Sequence, residues 1–191
     1  MYKMLVIGFS AGGIPLIKQI LQSLPRHYPL PIVIVAHLPK GHESHLAELL
    51  NDITRLSVSM AKDKEIIVPG KVYVAPPDYH LLVEKHSFPP TFALSVDVPV
   101  KAVRPSIDVL FESAAECYET GLIGVLLSGA NSDGAEGMAY IKELGGLSIV
   151  LDPQESEFST MPSAVIQRVS VDYIASMDEI ISLLLSVHEE L

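Results

Sequence analysis

Apolar residues in this chain form either short continuous runs or helical repeats. Runs rich in Val and Ile occupy residues 2–8, 31–36 and 122–128, and they predict strands buried on both faces. Helical patterns lie between and after these runs, at residues 14–23, 43–52, 106–119, 134–144 and 177–189. This alternation predicts an α/β fold in which a mainly parallel, twisted sheet carries helices on both faces, a Rossmann-like three-layer architecture.

The middle of the chain departs from this alternation. Residues 57–60, 72–75, 80–84 and 92–96 are short strand-like segments separated by proline-rich turns. Such spacing is typical of hairpins rather than of helical crossovers, so we expect a short antiparallel edge or flap here. No repeat, linker or low-complexity tract divides the chain, which predicts one domain over residues 1–191.

Composition and charge narrow the function classes. Hydrophobic residues make up 49% of the 191 residues, enough for a sizeable core, and the formal net charge is −10. Nucleic-acid binding needs clustered Lys and Arg, which the chain lacks, so we expect no such partner. The single cysteine, and the lack of a signal peptide or a membrane-length apolar run, predict a cytoplasmic protein without membrane insertion.

The first predicted strand ends in a glycine-rich turn that contains Ser10, flanked by Gly8 and Gly12. Glycines allow the sharp backbone that exposes a serine hydroxyl, and the helix N-terminus that follows favours negative charge. Ser10 is therefore a candidate nucleophile. The same turn also fits phosphate binding in a dinucleotide fold, or a serine that caps a helix.

A serine nucleophile needs a general base and a group that orients it, and two further strand ends carry suitable side chains. His37 ends the second apolar run, and Asp133 follows the strand at 122–128. Because sites in open α/β sheets form at the carboxyl ends of strands, we expect Ser10, His37 and Asp133 to meet. Taken locally, His37 also fits a hydrogen-bonded strand end, and Asp133 with Glu136 fits the capping of the next helix.

Three other kinds of site are disfavoured. The chain order Ser, His, Asp differs from the order Ser, acid, His of α/β-hydrolases. A dinucleotide site places an acidic residue at the end of the second strand, where this chain has His37. His42, His45 and Glu48 have a spacing that suits metal ligands, but Glu43, His45 and Glu48 fit a solvated helix face, so we predict no metal.

Motifs spread along the chain occur in a defined order. They are Ile7-Gly8-x-Ser10-x-Gly12-Gly13; His37-x-Pro39 followed by Gly41; Val72-Tyr73-Val74-Ala75-Pro76-x-Asp78-x-His80; Arg104-Pro105-Ser106-Ile107-Asp108-Val109-Leu110-Phe111; Gly129 through Asp133-Gly134 with Gly137-Met138; and Met161-Pro162. In these motifs the sequence resembles the catalytic domain of chemotaxis protein-glutamate methylesterases, the CheB type. The resemblance covers nearly the whole chain.

The resemblance implies a serine hydrolase without a cofactor, which removes methyl groups from glutamyl methyl esters of chemoreceptors; members of the family often also deamidate receptor glutamines. It implies that Ser10 is the nucleophile, that His37 acts as general base and then acid, and that Asp133 orients His37. The implied partner is a methylated chemoreceptor or a related signalling protein.

Several other groups are candidates for the surroundings of the triad. An oxyanion needs backbone donors, and our candidates are the amides of Ala11, Ala130 and Asn131. His80 belongs to a shared motif and is a candidate for the edge of the site, with a hydrogen-bonded strand histidine as the alternative. Arg104 is placed to meet an acidic receptor or the product carboxylate, or else pairs with a surface acid. Ser106 is predicted to cap the helix that follows it.

The chain also departs from the family pattern. Ala11 stands where the family usually has threonine, Ala36 replaces a polar residue, and Ala130 replaces a methionine of the acid turn. These smaller side chains motivate a second hypothesis, a catalytically weak or inactive binding module in a signalling system. Full-length family members carry an N-terminal receiver domain, and none precedes these motifs, so we expect regulation by a partner in trans.

Overall fold

The computed structural model describes residues 1–38, 45–85 and 89–189. Its strands are β1 (Met4–Phe9), β2 (Ile32–Ala36), β3 (Ser57–Met60), β4 (Lys71–Val74), β5 (His80–Glu84), β6 (Thr91–Ser95), β7 (Leu122–Leu126), β8 (Leu147–Leu151) and β9 (Tyr173–Ala175). Its helices are α1 (Gly13–Ser23), α2 (Leu46–Asn51), α3 (Ile107–Tyr118), α4 (Ala135–Glu143), α5 (Thr160–Arg168) and α6 (Met177–Glu189).

Within these residues, a seven-stranded sheet has the order β3-β4-β2-β1-β7-β8-β9, and each neighbouring pair is parallel. Every residue of β1, β2 and β7 is buried, because helices cover both faces of the sheet. These are the three strands that the continuous apolar runs predict. The predicted helices also form, although residues 43 and 44 of the second one lie outside the described residues.

Alternate side chains of β1 feed two separate apolar cores. Ile7 packs in the core that contains α1, α2 and α6, and Val6 packs in the core that contains α3, α4 and α5. Since successive side chains of a strand point to opposite faces, this division follows from the strand period. The expected parallel sheet with helices on both faces is confirmed.

The middle of the chain follows the prediction only in part. Strands β5 and β6 form an antiparallel pair, with His80 opposite Ser95 and Glu84 opposite Thr91. Strands β3 and β4 instead extend the parallel sheet, so the expectation of a hairpin there was wrong. The loop between them, residues 61–70, is long enough to return the chain in the parallel sense, and it is held by bonds to the β6 region such as that from the Lys64 amide to the Phe92 carbonyl.

The hairpin of β5 and β6 packs against α3, where the Val83 amide donates to Ser113 Oγ over 3.1 Å. Leu81, Val83 and Phe92 are buried in the core on that face of the sheet. The hairpin thus serves as a cover for α3, whose N-terminus reaches the carboxyl end of the sheet.

None of the helices in the described part of the chain has the length and the apolar content that crossing a bilayer requires.

Candidate active site

The register of the central strands brings three strand ends together. Phe9 of β1 lies opposite Ala36 of β2, and Gly8 lies opposite Leu126 of β7. Because these strands are parallel, Ser10, His37 and the loop after β7 emerge at the same edge of the sheet. Asp133 lies in that loop, just before α4.

The backbone around Ser10 is tightly held. Its amide donates to the Ser128 carbonyl over 2.8 Å, and its carbonyl accepts from the Gly13 amide over 3.1 Å. Gly12 has φ of +76°, and a Cβ there would lie 2.9 Å from both Glu157 Cβ and Ser128 Oγ. The turn therefore requires glycine at position 12, as the crowded strand-to-helix geometry predicts.

The hydroxyl of Ser10, by contrast, forms no hydrogen bond within the described residues. It lines a surface depression of about 460 Å³ together with His37, Ala11, Ile14 and Leu38. The nucleophile candidate and the base candidate therefore share one opening that a substrate can enter.

His37 sits between two polar partners. Its Nε2 lies 2.9 Å from Asp133 Oδ2, which is ion-pair distance, although the N–H direction misses regular hydrogen-bond geometry. Its Nδ1 lies 3.3 Å from Asn131 Nδ2. The side-chain amide of Asn131 is oriented by its Oδ1, which accepts a hydrogen bond from the backbone amide of Asp133 over 3.1 Å. An NH₂ group therefore faces Nδ1, which places the ring proton on Nε2 and a lone pair on Nδ1.

Asp133 is fully buried and accepts several hydrogen bonds. Ser106 Oγ donates to Oδ1 over 2.8 Å, the Asp108 amide to Oδ1 over 3.2 Å, and the Ile107 amide to Oδ2 over 2.6 Å. Burial alone raises the pKa of Asp133, but the contacts with His37, the Ile107 amide and the Ser106 hydroxyl outweigh it and lower the pKa to about 2. The carboxylate is thus held ionised beside the imidazole.

The local alternative for Asp133, the capping of α4, is wrong. The N-cap residue of α4 is Gly134, and no side chain caps that helix. The carboxylate instead binds the first amides of α3, whose positive end favours a negative charge.

The backbone amides of Ala11, Ala130 and Asn131 donate no hydrogen bond within the described residues. Ala11 directly follows Ser10, and Ala130 and Asn131 lie in the loop after β7. Their amides are therefore available to an oxyanion that forms beside Ser10. The Ala11 carbonyl accepts from Ser128 Oγ over 2.8 Å, which ties the turn at Ser10 to the loop after β7.

Among the described residues, His80 and Arg104 are not part of the lining of the opening. His80 is only 2% exposed, and its ring bonds to the Ser106 amide and the Val98 carbonyl, each over 3.2 Å. The Arg104 guanidinium donates to the Val96 and Asp97 carbonyls over 2.8 and 2.9 Å. Both side chains therefore hold the segment before α3.

Sequence reasoning missed two contacts of the site. Ser106 caps α3 as predicted, accepting from the Val109 amide over 3.4 Å, but its bond to Asp133 was not anticipated. The Phe158 carbonyl, in the loop after β8, accepts from the Gly129 amide over 3.0 Å and so supports the loop after β7, which carries Asp133. The presence of Ser106 in a shared motif was the one available signal, because partners distant in sequence leave no local pattern.

No group of three His, Cys, Asp or Glu side chains in residues 1–38, 45–85 and 89–189 is arranged to hold a metal ion. His42 lies outside these residues. His45 Nδ1 and Glu48 Oε2 are 3.4 Å apart with side chains 75% and 78% exposed, as on the solvated helix face that the sequence allows.

A serine, a histidine and an aspartate that meet in space are the side chains from which serine hydrolases on several unrelated folds build a catalytic triad. Comparison with known proteins agrees with this class. The family model for CheB methylesterase matches residues 5–184, and the chain belongs to that family.

Individual relatives are similar over nearly the whole chain. A Leptospira interrogans protein is 47% identical over 188 residues, which cover 98% of this chain and 96% of that protein. The protein-glutamate methylesterase/protein-glutamine glutaminase of Thermotoga maritima is 37% identical over 90% of this chain, which spans 50% of that enzyme.

A solved structure shows the same fold. The crystal structure of the Thermotoga maritima CheB methylesterase catalytic domain matches with a TM-score of 0.93 and 35% identity, covering 98% of this chain and 99% of that chain.

Proposed function

We propose that this chain is a serine protein-glutamate methylesterase, which hydrolyses glutamyl methyl esters on chemoreceptors. The observation that carries the proposal is the approach of His37 to Asp133 in a CheB-family fold, with Ser10 and His37 lining one opening. The names of the Thermotoga maritima and Halalkalibacterium halodurans relatives join methylesterase with glutaminase, so the proposal includes the deamidation of glutamine.

In the first half of the reaction, Ser10 Oγ attacks the ester carbonyl carbon and its proton passes to His37. Nδ1 is the acceptor, because Nε2 faces Asp133. The side-chain NH₂ of Asn131 lies 3.3 Å from Nδ1, so the contact with Ser10 has to replace this contact when the proton is transferred. Collapse of the tetrahedral intermediate transfers the proton from His37 to the methoxy oxygen, and methanol leaves.

In the second half, water attacks the ester that links the glutamyl group to Ser10. His37 takes the water proton and returns it to Ser10 Oγ, which releases the glutamate carboxylate. With a glutamine substrate the leaving group is ammonia instead of methanol, and the remaining steps are the same.

Asp133 contributes by charge and orientation. Its pKa of about 2, set by burial and by the opposing contacts with His37, the Ile107 amide and Ser106, keeps it ionised at neutral pH. An ionised carboxylate stabilises the imidazolium that forms in each half-reaction. The backbone amides of Ala11, Ala130 and Asn131, which donate no hydrogen bond to the described residues, are the proposed donors to the oxyanion, each worth a few kcal/mol in comparable enzymes.

The proposal extends to the setting of the reaction. We assign the chain to the cytoplasm, as one catalytic domain over residues 1–191, with a methylated chemoreceptor as substrate and a regulatory partner in trans. The net charge of −10 supports the absence of a nucleic-acid partner.

Replacement of Ser10 by alanine tests the proposal. With a receptor fragment carrying glutamyl methyl esters, methanol release by Ser10→Ala should fall at least about 10³-fold, because no nucleophile remains. Thermal melting should be unchanged, since the Ser10 hydroxyl makes no hydrogen bond within the described residues.

A serine-directed phosphonate supplies a second measurement. Mass spectrometry should find the adduct on Ser10 in the wild type and no adduct in Ser10→Ala. A wild type that neither reacts with the phosphonate nor releases methanol would instead support the binding-module hypothesis.

A further inference from the structure

Two buried polar side chains outside the triad connect to Asp133. Ser106 is fully buried, and its hydroxyl donates to Asp133 Oδ1 over 2.8 Å. The Ser106 amide donates to His80 Nδ1 over 3.2 Å, and His80 Nε2 lies 3.2 Å from the Val98 carbonyl. A continuous series of hydrogen bonds thus runs from Val98 through His80 and Ser106 to the carboxylate beside His37.

The direction of each bond in this series is determined. A backbone amide only donates and a carbonyl only accepts, so His80 Nδ1 is the acceptor and Nε2 carries the proton. The Ser106 hydroxyl accepts from the Val109 amide over 3.4 Å, which leaves its proton for Asp133. No member of the series can turn without leaving a buried polar group unpaired, which costs about 1–3 kcal/mol.

The two oxygens of Asp133 have different partners as a result. Oδ1 accepts from Ser106 and from the Asp108 amide, whereas Oδ2 accepts from the Ile107 amide and faces His37. A carboxylate held at both oxygens cannot rotate about its terminal bond. The orientation of Oδ2 toward the imidazole therefore depends on what holds Oδ1.

The Ser106 hydroxyl also favours the ionised form of Asp133. Asp108, next to the site, is buried, and burial raises its pKa, while bonds from the Gly137 amide and Lys101 act against that rise. Asp133 has the additional donor Ser106, whose bond favours the ionised form. Of these two neighbouring carboxyl groups, the one beside His37 is the one whose pKa is lowered.

We propose that Ser106 is a positioning residue for the reaction, and that His80 fixes Ser106. Ser106 orients Asp133, which in turn holds His37 at the angle needed to take the proton of Ser10. This inference rests on the proposed function. It assigns to both side chains a role in the rate of the chemical step rather than in substrate binding.

The test measures kcat and KM of the full chain with the glutamyl methyl ester fragment. Ser106→Ala should lower kcat about 10- to 100-fold, because a small misplacement of a catalytic group has effects of that size. KM should stay within about twofold of the wild type, since neither the Ser106 nor the His80 side chain lines the opening that holds Ser10 and His37. Ser106→Thr, which keeps a hydroxyl, should recover most of kcat.

Ser113→Ala is the matched control. Ser113 lies on α3, accepts from the Val83 amide over 3.1 Å and donates to the Val109 carbonyl over 2.9 Å, with no contact to Asp133. This variant should lose stability and keep wild-type kcat. Equal losses of kcat in Ser106→Ala and Ser113→Ala, or wild-type kcat in Ser106→Ala, would overturn the proposal.

A pair of variants at His80 decides the question if Ser106→Ala does not fold. His80→Asn keeps an acceptor near the position of Nδ1 and should retain most of kcat. His80→Gln places its polar atoms near Nε2, leaves the Ser106 amide without its acceptor and should lower kcat. The reverse order contradicts the inference, whereas an inactive wild type with an unreactive Ser10 contradicts the proposed function itself.

Discussion

The two ends of the proposed triad are built in opposite ways. Asp133 is fully buried, and both of its oxygens are occupied by Ser106, by the first amides of α3 and by His37. At Ser10 the backbone is held and the glycine at position 12 is required, but the hydroxyl has no partner within the described residues. The acid is fixed by the folded core, and the nucleophile is left free for the substrate.

This difference shows which part of the site is held in place by the folded core before substrate binds. Buried donors around a carboxylate stabilise both the charge and the fold, so the acid side of the site is part of the structural core. The Ser10 hydroxyl has to reach both His37 and the substrate during the reaction, so it adds little to the stability of the fold. Variants on the two sides should therefore separate stability from activity.

Apart from the removal of the nucleophile itself, the largest expected effect is at Asp133. Asp133→Asn should lower kcat about 10⁴-fold, as loss of the charge that orients a catalytic histidine does in a triad enzyme. It should also lower the free energy of unfolding by about 1–3 kcal/mol, because an amide NH₂ would face a donor of α3. Ester hydrolysis and urea denaturation at pH 7 measure the two effects.

Asp172→Asn serves as the control for that variant. Asp172 accepts from the Ser148 amide over 3.0 Å and from Ser148 Oγ over 2.7 Å, near the amino end of β8. It should lose stability and retain activity. If Asp133→Asn keeps wild-type kcat, the contrast between the two ends of the site has no catalytic meaning.

A smaller effect is expected at the turn of the nucleophile. Gly12→Ala adds a Cβ that meets Glu157 and Ser128 at 2.9 Å, so the turn must shift and kcat should fall about 100-fold. Gly70 has a similar φ of +73°, but among the described residues a Cβ there would meet only the Tyr28 carbonyl oxygen, at 3.5 Å.

Gly70→Ala is therefore the matched variant for Gly12→Ala. Both should lose about 1 kcal/mol or more of stability from the left-handed backbone, measured by denaturation, while only Gly12→Ala should lose activity. Equal activity in the two variants would show that the turn tolerates displacement.

The smallest effect concerns acid stability. The pKa of Asp133 falls from the ordinary value of 3.8 to about 2 in the folded chain, so its ionisation contributes stability that is present above about pH 4. That contribution is lost as the pH drops through 2. The stability difference between the wild type and Asp133→Asn should thus shrink by about 2 kcal/mol between pH 5 and pH 2.

Urea denaturation of both proteins across this pH range measures the difference. If the stability difference between the wild type and Asp133→Asn stays constant down to pH 2, the surroundings of Asp133 do not hold it ionised. Asp133 would then, like the Ser10 hydroxyl, add little to the stability of the fold.

The strands that carry the proposed triad could be predicted from the sequence. The apolar runs locate β1, β2 and β7, and the residues that follow them carry Ser10, His37 and Asp133. Sequence reasoning did not predict β8, α5 or β9. Two of the three β9 residues are exposed, so this edge strand lacks the pattern of a buried strand.

Local sequence thus determined the central strands, the covering helices other than α5, the cap at Ser106 and the candidates for the triad, because hydrophobic period and capping act within a few residues. Tertiary structure alone decided the parallel pairing of β3 with β4 and the partner of Asp133. Asp133 fits the start of α4 next to it in sequence, yet it binds the start of α3, 26 residues earlier. Packing of the helices on the sheet selects that partner, since it determines which buried donors lie within reach of the carboxylate.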